Sequence, residues 1–225
     1  MASLDASSLF QIGTPPSLAD FESCGTLGQG SVGSVTKVVH RRSGTVLALK
    51  TVDRRRIDEH NLGAQLLEEV RAQSRATHVN LLRCFGSFED EDMFHLILEY
   101  AAGGSLHRYI KCQGPLEDDI AKRVFSQVLA GVSYLHGLEP PIIHRDLKPE
   151  NILLCDDGVQ GLVKICDFGW CAQEEGRTTF CGTPCSRLRW SRGLHTTGAW
   201  TFGPSAFCCM RCLLGAIPSI QEVAS

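Results

Sequence analysis

Apolar residues along this chain follow one period before its middle and another after it. From Phe21 onward, β-branched and apolar residues come in short runs separated by glycine-containing turns. After the turn Arg41-Arg42-Ser43-Gly44, the stretch Thr45–Lys50 alternates as a half-buried strand does, because successive strand side chains point to opposite faces. Asn61–Arg75 changes to helical spacing, with Leu62, Leu66, Leu67 and Val70 as an apolar stripe. Leu81–Phe88 and Met93–Glu99 read as strands again, joined by the acidic turn Glu89–Asp92. Tyr100–Gly104 interrupts the strand pattern, and beyond it the chain turns helical over Ser105–Lys111 and Glu117–His136. The longer of these helices carries Ile120, Val124, Val128, Leu129, Val132 and Leu135 on one face. Its start is marked by Pro115 and by the acidic residues Glu117–Asp119, which suit the positive end of a helix dipole. A short strand is expected over Ile152–Leu154. Strands gathered first and helices afterwards predict an α+β molecule of two lobes.

Composition narrows the class without naming a function. With 225 residues, 43% of them hydrophobic, the chain can bury a substantial core. A net charge of -3 provides no global basic field, so direct nucleic-acid binding is not expected. Residues 1–17, rich in Ser and Ala with Pro15-Pro16, read as a flexible lead-in and have no apolar run of signal length. The eleven cysteines form no regular framework, which predicts free thiols in a reducing, intracellular compartment. Cys209 and Cys212 have metal-like spacing, but no second pair completes a site. The apolar run Ala206–Ile220 is broken by Arg211 and Pro218 and is too short to span a bilayer, so no membrane partner is expected.

Chemistry enters at three places. Gly28-Gln29-Gly30-Ser31-Val32-Gly33-Ser34-Val35 is a G-x-G-x-x-G-x-V run, and strand-type residues continue through Val38 and Val39 instead of a helix. That favours a hairpin whose backbone folds over phosphates rather than a dinucleotide-binding turn. Lys50 closes the following strand as A-x-K with Ala48. His144-Arg145-Asp146-Leu147-Lys148-Pro149-Glu150-Asn151 then precedes Asp167-Phe168-Gly169. Phosphoryl transfer needs a carboxylate to orient a hydroxyl, a cation beside the moving phosphate, and oxygen ligands for Mg²⁺. Asp146, Lys148, Asn151 and Asp167 supply those groups at the right spacing.

Together these runs resemble the eukaryotic serine/threonine protein kinases. The resemblance implies a two-lobed kinase fold, a β-rich N-lobe and a helical C-lobe, over 18–98 and 105–184 with a hinge at 99–104. It implies ATP and Mg²⁺ as cofactors and Ser/Thr residues of proteins as substrates. Asp146 and Lys148 would be catalytic, and Asn151 and Asp167 would hold the metal. Leu27, Gly28, Gly30, Gly33, Val35, Ala48, Lys50, Glu69, Glu99, Ala101, Asn151, Leu153 and Asp167 would form the ATP site. Within that set, Lys50 would pair with Glu69, the hinge backbone at Glu99 and Ala101 would meet the adenine edge, and Leu98 would guard the back pocket. His144 and Phe168 are expected to pack rather than react. Trp170 after D-F-G, the run Arg177–Thr183, Leu18–Glu22 and Gln73 are similar to Aurora kinases. That similarity implies a regulatory phosphosite at Thr179, with Arg145 among the groups gripping its phosphate. Thr183 would shape the pocket for the residue after the substrate Ser/Thr. It also implies an activating protein on the N-lobe and a spindle-associated location in cytoplasm or nucleus. Val79 departs from the pattern, where these kinases have Pro.

The kinase pattern stops after Pro184, so the C-lobe is expected to be truncated after the activation loop. Residues 185–225 show no period. Moving the reading frame by one base turns Trp200-Thr201 into Asp, and turns Phe207-Cys208 and Cys208-Cys209 into Leu. With allowed codons the shifted tail reads P-P-E and later D-F-W, the missing kinase segments, so a frame-shifted tail is expected. An uncovered face on the helix Glu117–His136 would follow. The alternative is a truncated, catalytically impaired fragment that binds nucleotide or a partner.

Overall fold

A computed structural model describes residues 15–29, 33–59, 63–156, 158–168 and 172–173 of the chain. Thr179, Thr183, the Cys209/Cys212 pair and the tail 185–225 lie outside the described residues. Two compact units meet in sequence between Tyr100 and Ala101.

The first unit is a five-stranded antiparallel sheet ordered β1-β2-β3-β5-β4. Its strands are β1 (Phe21–Gln29), β2 (Gly33–His40), β3 (Val46–Asp53), β4 (Cys84–Glu89) and β5 (Met93–Glu99). Alternation divides the central strands into two faces. Val38 pairs with Leu47 and Leu49 with Ile97, and these four join Phe21, Phe85 and Phe88 in one buried cluster. The opposite face carries Val35 beside Lys50, Lys37 beside Ala48, and Ala48 beside Leu98. Register therefore gathers Val35, Ala48, Lys50 and Leu98 on one side, since residues directly opposite each other share a face.

Two helices interrupt this sheet. The helix α1 (Arg54–Glu59) has no counterpart in the sequence reading, because six residues rich in arginine show no apolar period. Asp53 Oδ1 accepts from Arg55 N at 2.9 Å at its start. The Arg54 side chain donates to Asp90 O and pairs with Glu89 at 3.1 Å. The second helix, α2 (Gly63–Arg75), falls within the expected range; among its described side chains Ala72 and Gln73 are buried while Leu66 and Val70 are half-buried. Gln73 Nε2 donates to Leu82 O at 3.3 Å, giving a buried amide a partner. The strand expected from Leu81 begins only at Cys84: Leu81 N closes a turn on His78 O, and a register shift follows at Cys84/Gly86.

Gly33 is required by close approach. A Cβ there would lie 2.0 Å from the carbonyl oxygen of Thr51 on the neighbouring strand. Gly33→Ala should therefore push β2 from β3 and cost roughly 1–3 kcal/mol, the range for overpacking. Urea unfolding measures this, and a loss below half a kcal/mol would contradict the register.

The second unit contains α3 (Leu106–Gln113), α4 (Asp118–His136) and two small sheets. One sheet is ordered β6-β8-β9, from Gly104–Ser105, Ile152–Leu154 and Val163–Ile165; the other pairs β7 (Ile142–Ile143) with β10 (Ala172–Gln173). Ser105 caps α3 by accepting from Arg108 N at 3.2 Å. On α4 the buried residues are Ala121, Val124, Val128, Gly131, Val132 and Leu135, whereas Ile120 and Leu129 are half-buried. The face is thus rotated toward small residues that allow close packing on β7 and β9. Contrary to the expected loss of cover, Val124 and Leu135 are fully buried. Gln127 joins α4 to the sheet, donating to Gly161 O and accepting from Val163 N at 3.0 Å. Among the described residues no disulfide joins the five cysteines, and no helix is long and apolar enough to cross a membrane.

Candidate active site

The loop that follows β7 is assembled around a buried carboxylate. From Ile143 the chain passes His144, Arg145 and Asp146, turns through the 3-10 segment Pro149–Asn151 and enters β8. The Asp146 side chain is only 2% exposed, and Lys148 Nζ lies 2.7 Å from its Oδ2. Asn151 Nδ2 donates to the same oxygen at 3.0 Å and to Asp146 O at 2.9 Å. A buried carboxylate is tolerable only when paired and hydrogen-bonded, and these two donors meet that condition. Both bonds use the NH₂ of Asn151, so its amide oxygen takes no part in holding Asp146.

One backbone bond, one side-chain bond and one ring contact tie this loop to the segment after β9. Cys166 N donates to Asn151 O at 2.9 Å. His144 Nε2 donates to Cys166 O at 2.9 Å, and its ring lies 5.4 Å from that of Phe168. His144 and Phe168 are both buried, at 2% and 0% exposure, so they pack as the sequence implied. Arg145 and Asp167 each adopt φ 63, the left-handed region that side-chain-bearing residues avoid. The first of these precedes the Asp146 carboxylate and the second is itself a carboxylate residue, and only a well-packed surround can maintain such backbone.

Burial pushes the pKa of His144 down from 6.5, only partly offset by its bond to Cys166 and by Asp167 and Asp146. The ring is thus neutral, with Nε2 protonated and, among the described residues, Nδ1 without a hydrogen-bond partner. Its folded-state pKa lies below the unfolded value, so the unfolded chain binds the extra proton first. Stability from this group is full above about pH 6.5 and slopes downward as pH falls below it, until the folded pKa is reached. Urea unfolding at pH 7.5 and 5.5 should show this slope, and His144→Gln should flatten it. An unchanged slope in the variant would refute the assignment.

The first unit carries the other sequence-predicted residues. Gly28 pairs with Val35 across β1 and β2, and Val35 with Lys50 across β2 and β3. Leu27 is exposed on β1, and Gly30 lies outside the described residues. Glu69 belongs to α2, but its side chain lies outside the described atoms, as does any pairing with Lys50. Glu99 ends β5 with its N–H donated to Arg83 O at 2.9 Å and its carboxylate accepting from Arg83 N at 3.2 Å. Arg83 was not singled out in the sequence, since a backbone grip leaves no signature in residue type. Ala101 opens the second unit, where Leu153 sits half-buried in β8. Asp146, Lys148, Asn151 and Asp167 are brought together within that unit, and Val35, Ala48 and Lys50 within the first.

Comparison with known proteins agrees with these motifs. The protein kinase domain model matches residues 21–186, ending two residues beyond the Pro184 at which the motif pattern stops. An Aurora kinase of Saccharomyces cerevisiae is 37% identical over 214 residues, 92% of this chain and 56% of the relative. One from Yarrowia lipolytica is 41% identical over 169 residues, 74% of this chain and 44% of the relative. Aurora kinase A-A of Xenopus laevis is 36% identical over 207 residues, 89% of this chain and 49% of the relative. The chain thus spans about half the length of the curated relatives it matches. With the family model covering most of its residues and the buried Asp146 loop in place, this chain belongs to the protein kinase family.

Proposed function

We propose that the protein is an ATP- and Mg²⁺-dependent serine/threonine kinase of Aurora type. The observation that carries this reading is the Asp146 constellation, with Lys148 and Asn151 both on one carboxylate oxygen. In the proposed reaction a substrate Ser or Thr hydroxyl donates its hydrogen bond to the Asp146 carboxylate. The hydroxyl oxygen attacks the γ-phosphorus of ATP, the bond to ADP breaks, and the proton passes to Asp146. Lys148 then lies beside the transferred phosphate and offsets its charge.

Mg²⁺ suits the donor set, because hard cations take oxygen ligands and this ion is commonly held by few protein groups plus phosphates. Asn151 through its amide oxygen and Asp167 through its carboxylate are the residues proposed to hold it. When bound, it would neutralise charge on the phosphates. Leu27, Gly28, Gly30, Gly33, Val35, Ala48 and Lys50, with the backbone of Glu99 and Ala101 and the side chain of Leu153, are proposed to bind the rest of ATP. Glu69 is proposed to pair with Lys50. Residues 18–98 act as N-lobe, 99–104 as hinge and 105–184 as the C-lobe portion. Thr179 is the proposed activating phosphosite, and a protein docked on the N-lobe is the proposed activator. Incubating the purified chain with labelled ATP, Mg²⁺ and a serine-containing basic peptide tests the reading: transfer to the peptide supports it. Nucleotide binding without transfer points instead to a non-catalytic binding fragment.

A further inference from the structure

Lys37 stands out on the nucleotide-facing side of the first sheet because it belongs to none of the motifs. On β2 it lies directly opposite Ala48 of β3, and Ala48 lies opposite Leu98 of β5. Tyr100 follows directly on the end of β5 at Glu99, two residues beyond Leu98. Only the methyl of Ala48 separates Lys37 from β5 along that row, which leaves the lysine stem room to cross. Its Nζ stands 4.8 Å from the centroid of the Tyr100 ring, within the roughly 6 Å over which an aromatic face attracts a cation. Lys37 and Tyr100 are both half-buried, and no carboxylate among the described residues pairs with Lys37. The aromatic ring is therefore the partner this ammonium has in the described structure.

The consequence lies in the residue between Leu98 and Tyr100. Glu99 is held on one side by Arg83, which accepts its N–H and donates to its carboxylate. On the other side its chain neighbour Tyr100 is held by Lys37. We propose that Lys37 is a positioning residue for the nucleotide: by clamping the Tyr100 ring, it fixes the peptide plane whose Glu99 carbonyl meets the adenine amino group. This rests on the kinase reading above and deepens it, since it assigns adenine affinity to a residue outside the set proposed to bind ATP.

Titration of the full chain with a fluorescent methylanthraniloyl ATP tests the clamp. Lys37→Met keeps the stem and removes the charge, and should weaken binding about threefold to tenfold, as loss of a partly desolvated cation–π contact implies. Lys37→Arg and Tyr100→Phe keep cation and ring face and should bind like the unaltered chain. Tyr100→Leu should lose as much as Lys37→Met, and the double variant no more than either alone, because one contact is removed in all three. In turnover assays the loss should appear in KM for ATP and not in kcat, with the melting midpoint unmoved. Unchanged affinity in Lys37→Met, or additive losses in the double variant, overturns the clamp while leaving the kinase reading intact. Failure of the unaltered chain to bind ATP overturns both. If Lys37→Met unfolds, Lys37→Arg with weakened binding still refutes the proposal.

Discussion

Asp146→Asn should slow phosphoryl transfer from ATP to a peptide serine by about 10²–10⁴-fold, the contribution of a positioned acid–base group. The substitution is nearly isosteric. Lys148 and Asn151 both reach one oxygen of Asp146, and an amide oxygen in the same place can still accept from them. What disappears is the negative charge that draws the substrate hydroxyl's proton. The loss should therefore fall on kcat, with ATP affinity and melting midpoint little changed. Single-turnover transfer beside nucleotide titration separates these quantities. A variant that keeps more than a tenth of the rate would remove Asp146 from the chemistry.

The largest effect on stability is expected from Ile152→Ala. Ile152 opens β8 directly after Asn151, is fully buried, and pairs with Ile165, which is also fully buried. Deleting a large aliphatic side chain from a tight core costs roughly 2–5 kcal/mol, from lost transfer energy and from the cavity left behind. Against a total of about 5–15 kcal/mol for a typical domain, that is enough to populate unfolded chain near body temperature. Catalysis should suffer as well, since the same strand pair sets Asn151 and Cys166, whose bonds carry Asp146 and His144. Urea titration reads the first effect and peptide phosphorylation the second. A loss below 1 kcal/mol would mean that this strand pair is not a packed core.

The elements with a long period were the most legible. Met93–Glu99 occurs as a strand over the expected residues, and Glu117–His136 as a helix starting one residue later. Short elements without apolar period were not: α1 is held by Arg54, whose partners are Glu89 and Asp90 at the β4–β5 turn, and by Asp53, which accepts from Arg55 N within the helix itself. The rotation of the α4 face toward Ala121 and Gly131 was equally hidden. An apolar stripe marks which side is hydrophobic, but the approach distance of β7 and β9 decides whether small or large residues sit deepest. In the candidate site, the meeting of Asp146, Lys148 and Asn151 was readable because the three lie within one short loop. Arg83 was not, because its grip on Glu99 uses backbone atoms that every residue has.

Taken alone, the amino-acid sequence determined the chemistry on offer and the order of strands and helices. Motif spacing and hydrophobic period are local quantities, complete within a few residues. Only the tertiary structure decided which distant groups meet: His144 with the Cys166 carbonyl, Gln127 with Gly161 and Val163, and Lys37 with Tyr100. Those contacts depend on strand register and on how segments far apart in the chain are brought side by side. A shift of one residue would turn each side chain to the opposite face without altering any motif.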